Sequence, residues 1–108
     1  MAQLTVTEAQ NGKTLAMMVG ETLSLQLPEN PTSGHAWTFA RLDETRLQLL
    51  ESTFRAEGSG VGTGGIERWT LRAVSPGETR IELKRWRPWE GERSVVERFW
   101  VDITIMAG

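Results

Sequence analysis

The sequence predicts an all-β chain folded as an immunoglobulin-like antiparallel β-sandwich of seven to eight strands without a disulfide. Three observations predict it. Apolar residues recur with period two, and no stretch of helical period outlasts two turns. Turn-forming residues punctuate the chain roughly every ten positions. There is no cysteine, so cohesion rests on packing and strand pairing alone.

Each strand follows from the alternation. Leu4 and Val6 open the series, and Leu15, Met17 and Val19 continue it. The cleanest case is Leu23, Leu25 and Leu27 alternating with Thr22, Ser24 and Gln26, one face toward a core and the other toward water. Trp37 and Phe39 mark the next strand, and Leu47 and Leu49 lead another that ends near Arg55. Trp69, Leu71 and Ala73 follow, then Ile81 and Leu83. The last strand is the longest, with Val95, Phe99, Val101, Ile103 and Ile105 on one side. Glu97 interrupts that side, so the strand is expected to enter the core from Phe99 onward.

Composition narrows the function classes. At 108 residues the chain matches one domain, residues 1–108, able to bury roughly two-thirds of its unfolded surface. The net charge of −2 is spread along the chain, with no basic patch for a phosphate backbone, so nucleic acid is not an expected partner. The opening "MAQLTVTEAQ" is polar and alternating, so neither a secretory signal nor a membrane span is expected there. The chain would be cytoplasmic if complete, and periplasmic or secreted if a signal has been removed.

The connections divide into two kinds. "LDETR" (42–46) and "SPGE" (75–78) are plain, the latter expected to form a type II turn with Pro76 and Gly77 at its centre. "PENPTSGHA" (28–36), "EGSGVGTGG" (57–65) and "RPWEGE" (87–92) are not plain. In an up-and-down order of strands every second connection lies at the same end. The three unusual loops are every second connection, so one end is generic and the other elaborated, as where loops on a rigid scaffold form a binding surface.

Several chemical readings fail on context. Gly60, Gly62 and Gly65 match G-x-G-x-x-G, but strand alternation follows where a dinucleotide site needs a helix N-terminus. Ser33 and His35 make a serine–histidine pair without a G-x-S-x-G elbow or an orienting acid, which argues against a hydrolase. One histidine and no cysteine make a poor metal site. Trp86 is expected to pack on the sheet. Trp89 follows a proline at a loop tip, where a stiff backbone would hold an exposed ring as a binding anchor.

Together "NPTSGHAW", "GTGG" (62–65) and "RPW" (87–89) resemble, in order and spacing, the signature of the chagasin family of cysteine protease inhibitors. The resemblance covers nearly the whole chain and implies an immunoglobulin-like sandwich that is not an enzyme, has no catalytic residue and needs no cofactor or metal. It implies tight, reversible, non-covalent inhibition of papain-like cysteine proteases, of cathepsin L or B type or papain itself, by a monomer with no membrane partner. Asn30, Pro31, Thr32, Ser33 and Gly34, with His35 beside them, would cross the catalytic cysteine. Gly62, Thr63, Gly64 and Gly65 would lie along the non-primed side, and Arg87, Pro88 and Trp89 would grip the primed side. Two departures stand out: Ser33 replaces the usual threonine, and His35 replaces a large apolar ring by one that changes charge near a pH of about 6.5. A carbohydrate-binding or adaptor sandwich is the alternative. It would use Trp89 and Trp86, but gives no reason for a glycine-rich and an Asn-Pro loop at the same end.

Overall fold

A computed structural model describes residues 3–57 and 64–108. Among the described residues, eight strands form two four-stranded sheets. In chain order they are β1 (Gln3–Val6), β2 (Thr14–Met18), β3 (Thr22–Glu29), β4 (Ala36–Arg41), β5 (Leu47–Ala56), β6 (Gly65–Ala73), β7 (Gly77–Trp86) and β8 (Glu97–Met106). One sheet runs β1-β3-β6-β5 and the other β2-β8-β7-β4. β1 lies parallel to β3 and β2 parallel to β8, while the other pairs are antiparallel.

The alternation read from the sequence is the alternation of the core. Leu23, Leu25 and Leu27 of β3 are buried beside Leu71 and Trp69 of β6. Ile81 and Leu83 of β7, with Phe99, Val101, Ile103 and Ile105 of β8, close the core from the other sheet. Burying each such side chain contributes on the order of 1.5–3 kcal/mol. A slip of one residue would turn all of them outward, which fixes the register. Trp37 joins this core, and the Phe39 ring meets Trp69 edge-on with centroids 5.8 Å apart.

Three local expectations need correction. Ser24, expected to face water, is buried, because β3 is an inner strand flanked by Thr5 and Thr70, and Gln26 Nε2 donates to its hydroxyl at 3.1 Å. Val95 lies before β8 rather than in it, since a 3-10 turn over Glu92–Ser94 takes its backbone N–H onto the Glu92 carbonyl. Glu97 then opens β8, exposed and paired with Arg85 at 2.8 Å, and the core begins at Phe99 as expected. At the third, Gly77 has the positive φ of +137° but already belongs to β7. That corner is held from across the loop: Arg46 Nη1 donates to the Pro76 carbonyl and Ser75 Oγ donates to the Thr45 carbonyl at 2.6 Å.

The last contacts tie the two plain connections to each other at one end. At the other end, Glu29 stands opposite Gly65 and Gly65 opposite Ala56, while in the facing sheet Ala36 stands opposite Trp86 and Arg85 opposite Glu97. These are the roots of the three unusual loops, which therefore share an end.

Candidate functional site

The first loop is shaped by its own short polar side chains. Asn30 Oδ1 accepts from the Thr32 backbone N–H at 3.1 Å and from its hydroxyl at 2.6 Å, starting a 3-10 turn over Pro31–Ser33. Ser33 donates its hydroxyl to the Asn30 carbonyl at 3.0 Å and accepts the His35 backbone N–H at 3.2 Å. The Ser33 hydroxyl thus serves the backbone and not the imidazole, which removes the geometry a hydrolase would need. Gly34 has φ +78°, a conformation that favours glycine. Below the loop, Trp37 donates its indole N–H to the Pro28 carbonyl at 2.9 Å and its backbone N–H to Glu29 Oε1 at 3.1 Å.

Sequence reasoning missed Glu29 and Ser94. Glu29 is 8 % exposed, and its second carboxylate oxygen is buried without a hydrogen-bond partner among the described residues. Glu67 also faces the space between the sheets at this end. Burial pushes its carboxyl above the ordinary range, a hydrogen bond from Ser52 (3.3 Å) partly offsets this, and the Glu29 charge adds to the rise.

Of the second loop, Gly62 and Thr63 lie outside the described residues. Gly64 closes the loop base, its carbonyl accepting from the Glu57 N–H at 3.0 Å. Gly65 is buried and begins β6, so a strand follows the glycines. A Cβ at Gly65 would collide with the Arg55 carbonyl and stand 2.6 Å from Phe54 Cζ and 2.9 Å from Ala56 Cα. The missing side chain lets β3, β6 and β5 close beneath the loop.

The third loop is two consecutive 3-10 turns, Pro88–Glu90 and Glu92–Ser94, joined at Gly91 with φ +77°. Pro88 opens the first turn with its preset φ. Ser94 is buried; its Oγ accepts the Arg87 N–H at 2.9 Å and lies 2.7 Å from the Gly91 carbonyl, which fastens the loop to its root. Trp89 is 73 % exposed at the tip. Trp86, by contrast, carries Lys84 Nζ 3.6 Å above its ring, so that face is not open to stack a sugar.

The first and third loops meet. Arg87 Nε and Nη2 donate to the Ser33 carbonyl at 3.2 and 2.7 Å, and a Cβ at Gly34 would stand 3.8 Å from the Trp89 ring. The structure therefore brings Ser33, Gly34, Arg87 and Trp89 together, with Asn30, Thr32 and His35 on the same loop and Gly64 at the neighbouring root.

A sandwich whose first and third loops are fastened to each other has the form of a loop-borne binding module, and among the described residues the polar contacts of these loops serve shape. Comparison with known proteins agrees. The family model described as "Chagasin family peptidase inhibitor" matches residues 16–103. Chagasin of Trypanosoma cruzi is 36 % identical over 101 residues, covering 89 % of this chain and 92 % of that protein. Amoebiasin-2 of Entamoeba histolytica is 34 % identical over 88 residues, covering 79 % and 71 %. The crystal structure of a cysteine protease inhibitor from Entamoeba histolytica superposes with a TM-score of 0.89 at 28 % identity, covering 98 % of this chain and 97 % of that one. The chain belongs to the chagasin family of peptidase inhibitors, and it is not an enzyme.

Proposed function

We propose that residues 1–108 act as one reversible, non-covalent, tight-binding inhibitor of papain-like cysteine proteases, entering the active-site cleft with the three-loop end. The observation that carries this reading is Trp89, a large ring 73 % exposed at the tip of a proline-stiffened turn and set beside Gly34 of the first loop. That the crystallised relative is a cysteine protease inhibitor supports the choice of target.

In this reading Asn30, Pro31, Thr32, Ser33 and Gly34 cross the catalytic cysteine with His35 at the edge of the contact. Small Thr32 and Ser33 let the chain sit deep, and a loop already held by Asn30 loses less entropy on docking. Gly62, Thr63 and Gly64 lie along the non-primed side, carried on the strand pairing that Gly65 permits. Pro88 and Trp89 engage the primed side, the Trp89 ring against an apolar wall, with Arg87 behind them. Targets are enzymes of the papain and cathepsin L or B type, and the inhibitor works as a monomer because the wedge needs a free end.

Active-site alkylation tests the reading. Papain mixed with a slight excess of the protein should lose reactivity toward iodoacetamide at its catalytic thiol, with no change in the inhibitor's intact mass, and recover that reactivity on dilution below the dissociation constant. Undiminished alkylation in a mixture where the two proteins co-elute would place the contact away from the cleft.

A further inference from the structure

We propose that Arg87 is a positioning residue: it fixes the Ser33–Gly34 peptide and makes residues 30–35 and 87–94 one preformed unit, rather than gripping the protease itself. This deepens the proposed function and rests on it for what the unit does, whereas the clamp belongs to the free protein.

A guanidinium offers five N–H groups in a planar fork. In Arg87 one edge of that fork, Nε and Nη2, closes on the single carbonyl oxygen of Ser33, filling its two acceptor positions. Nη1 turns to Glu90 Oε2 at 3.5 Å. Three of the five donors therefore have partners inside the protein. The root of the side chain is fixed too, since the buried Ser94 hydroxyl binds the Arg87 N–H. On the receiving side, the Ser33 hydroxyl holds Asn30 and His35, and Gly34 supplies the positive φ that turns the peptide toward Arg87. A Cβ at Gly34 would stand 3.3 Å from Arg87 Nε, so the two residues are matched in space as well as in hydrogen bonding.

The orientation has a consequence in a protease cleft. Acyl transfer needs the scissile carbonyl oxygen to face oxyanion donors of the enzyme. The Ser33 oxygen faces the third loop of its own chain instead, so the peptide bond that the first loop presents nearest its turn is held away from attackable geometry. Lysine in place of Arg87 keeps the charge and loses the fork.

The test uses the whole chain, labelled with ¹³C and ¹⁵N, as wild type, Arg87→Lys and Arg87→Gln. In the free protein we expect both variants to shift the Ser33 carbonyl resonance and to speed exchange of the His35 amide about tenfold or more, with core amides unmoved. Against papain both should weaken inhibition by similar factors, on the order of tenfold, mainly through slower association, because the competent loop shape is then populated only part of the time. An unmoved Ser33 carbonyl and His35 amide in Arg87→Lys would overturn the clamp whether or not the wild type inhibits papain. Full inhibition by Arg87→Lys beside lost inhibition by Arg87→Gln would also overturn it, by assigning the charge to the protease.

Discussion

The tryptophans of this chain differ in what holds them, and the difference separates stability from binding. Trp37 and Trp69 are 8 % and 5 % exposed within the core, and Trp100 lies under Arg80, whose guanidinium is 4.0 Å from the ring centroid. Trp89 is 73 % exposed beside Gly34 of the neighbouring loop. Trp89→Ala should therefore weaken inhibition of papain by about 2 kcal/mol or more, roughly thirtyfold in the inhibition constant. The melting temperature should move by no more than about 2 °C. Steady-state inhibition and a thermal melt on the same preparation check both parts. Trp89 was legible in the sequence because a proline-preset tip leaves a large ring no core to enter. The role of Arg87 was not, because its acceptor is a main-chain carbonyl 54 residues away. Ser94 was hidden for a related reason: a serine among charged residues reads as surface until the backbone it fastens is seen.

At the scale of the elements, alternation revealed strands and ends well, because period-two burial is a property of a strand and its two faces. It could not reveal that the inward faces become polar where the sheets reach the loops. Glu29 and Glu67 occupy inward positions of β3 and β6 there, and alternation counts them simply as breaks. Because burial raises the Glu67 carboxyl above its unfolded value, folding disfavours its ionised form. The penalty is full above the raised folded value and absent below the unfolded one, about 4.3. Glu67→Gln should thus be more stable than wild type at pH 7, with the advantage fading as pH falls toward about 4. Urea unfolding across that range checks it, and an advantage independent of pH would mean that ionisation is not its source. Gly65→Ala should act oppositely, destabilising by about 1–3 kcal/mol, because its methyl group meets the β5 backbone at the point where β3, β6 and β5 converge. The same urea titration reads that loss as a lower midpoint with an unchanged slope.

The molecule as a whole is a scaffold with two unlike ends. One is closed by Arg46 and Ser75 side-chain contacts between its plain connections, and the other presents a first and a third loop whose polar groups hold one another in shape. The central claim is that this second end stops a papain-like protease by filling its cleft. The measurement that bears on it most directly is the steady-state activity of active-site-titrated papain and of a cathepsin L-like enzyme, with increasing amounts of the wild-type protein and of Trp89→Ala. The account predicts stoichiometric, reversible loss of activity with the wild type and a much weaker effect of the variant. Full activity at micromolar wild-type protein, or equal inhibition by the two, would contradict it.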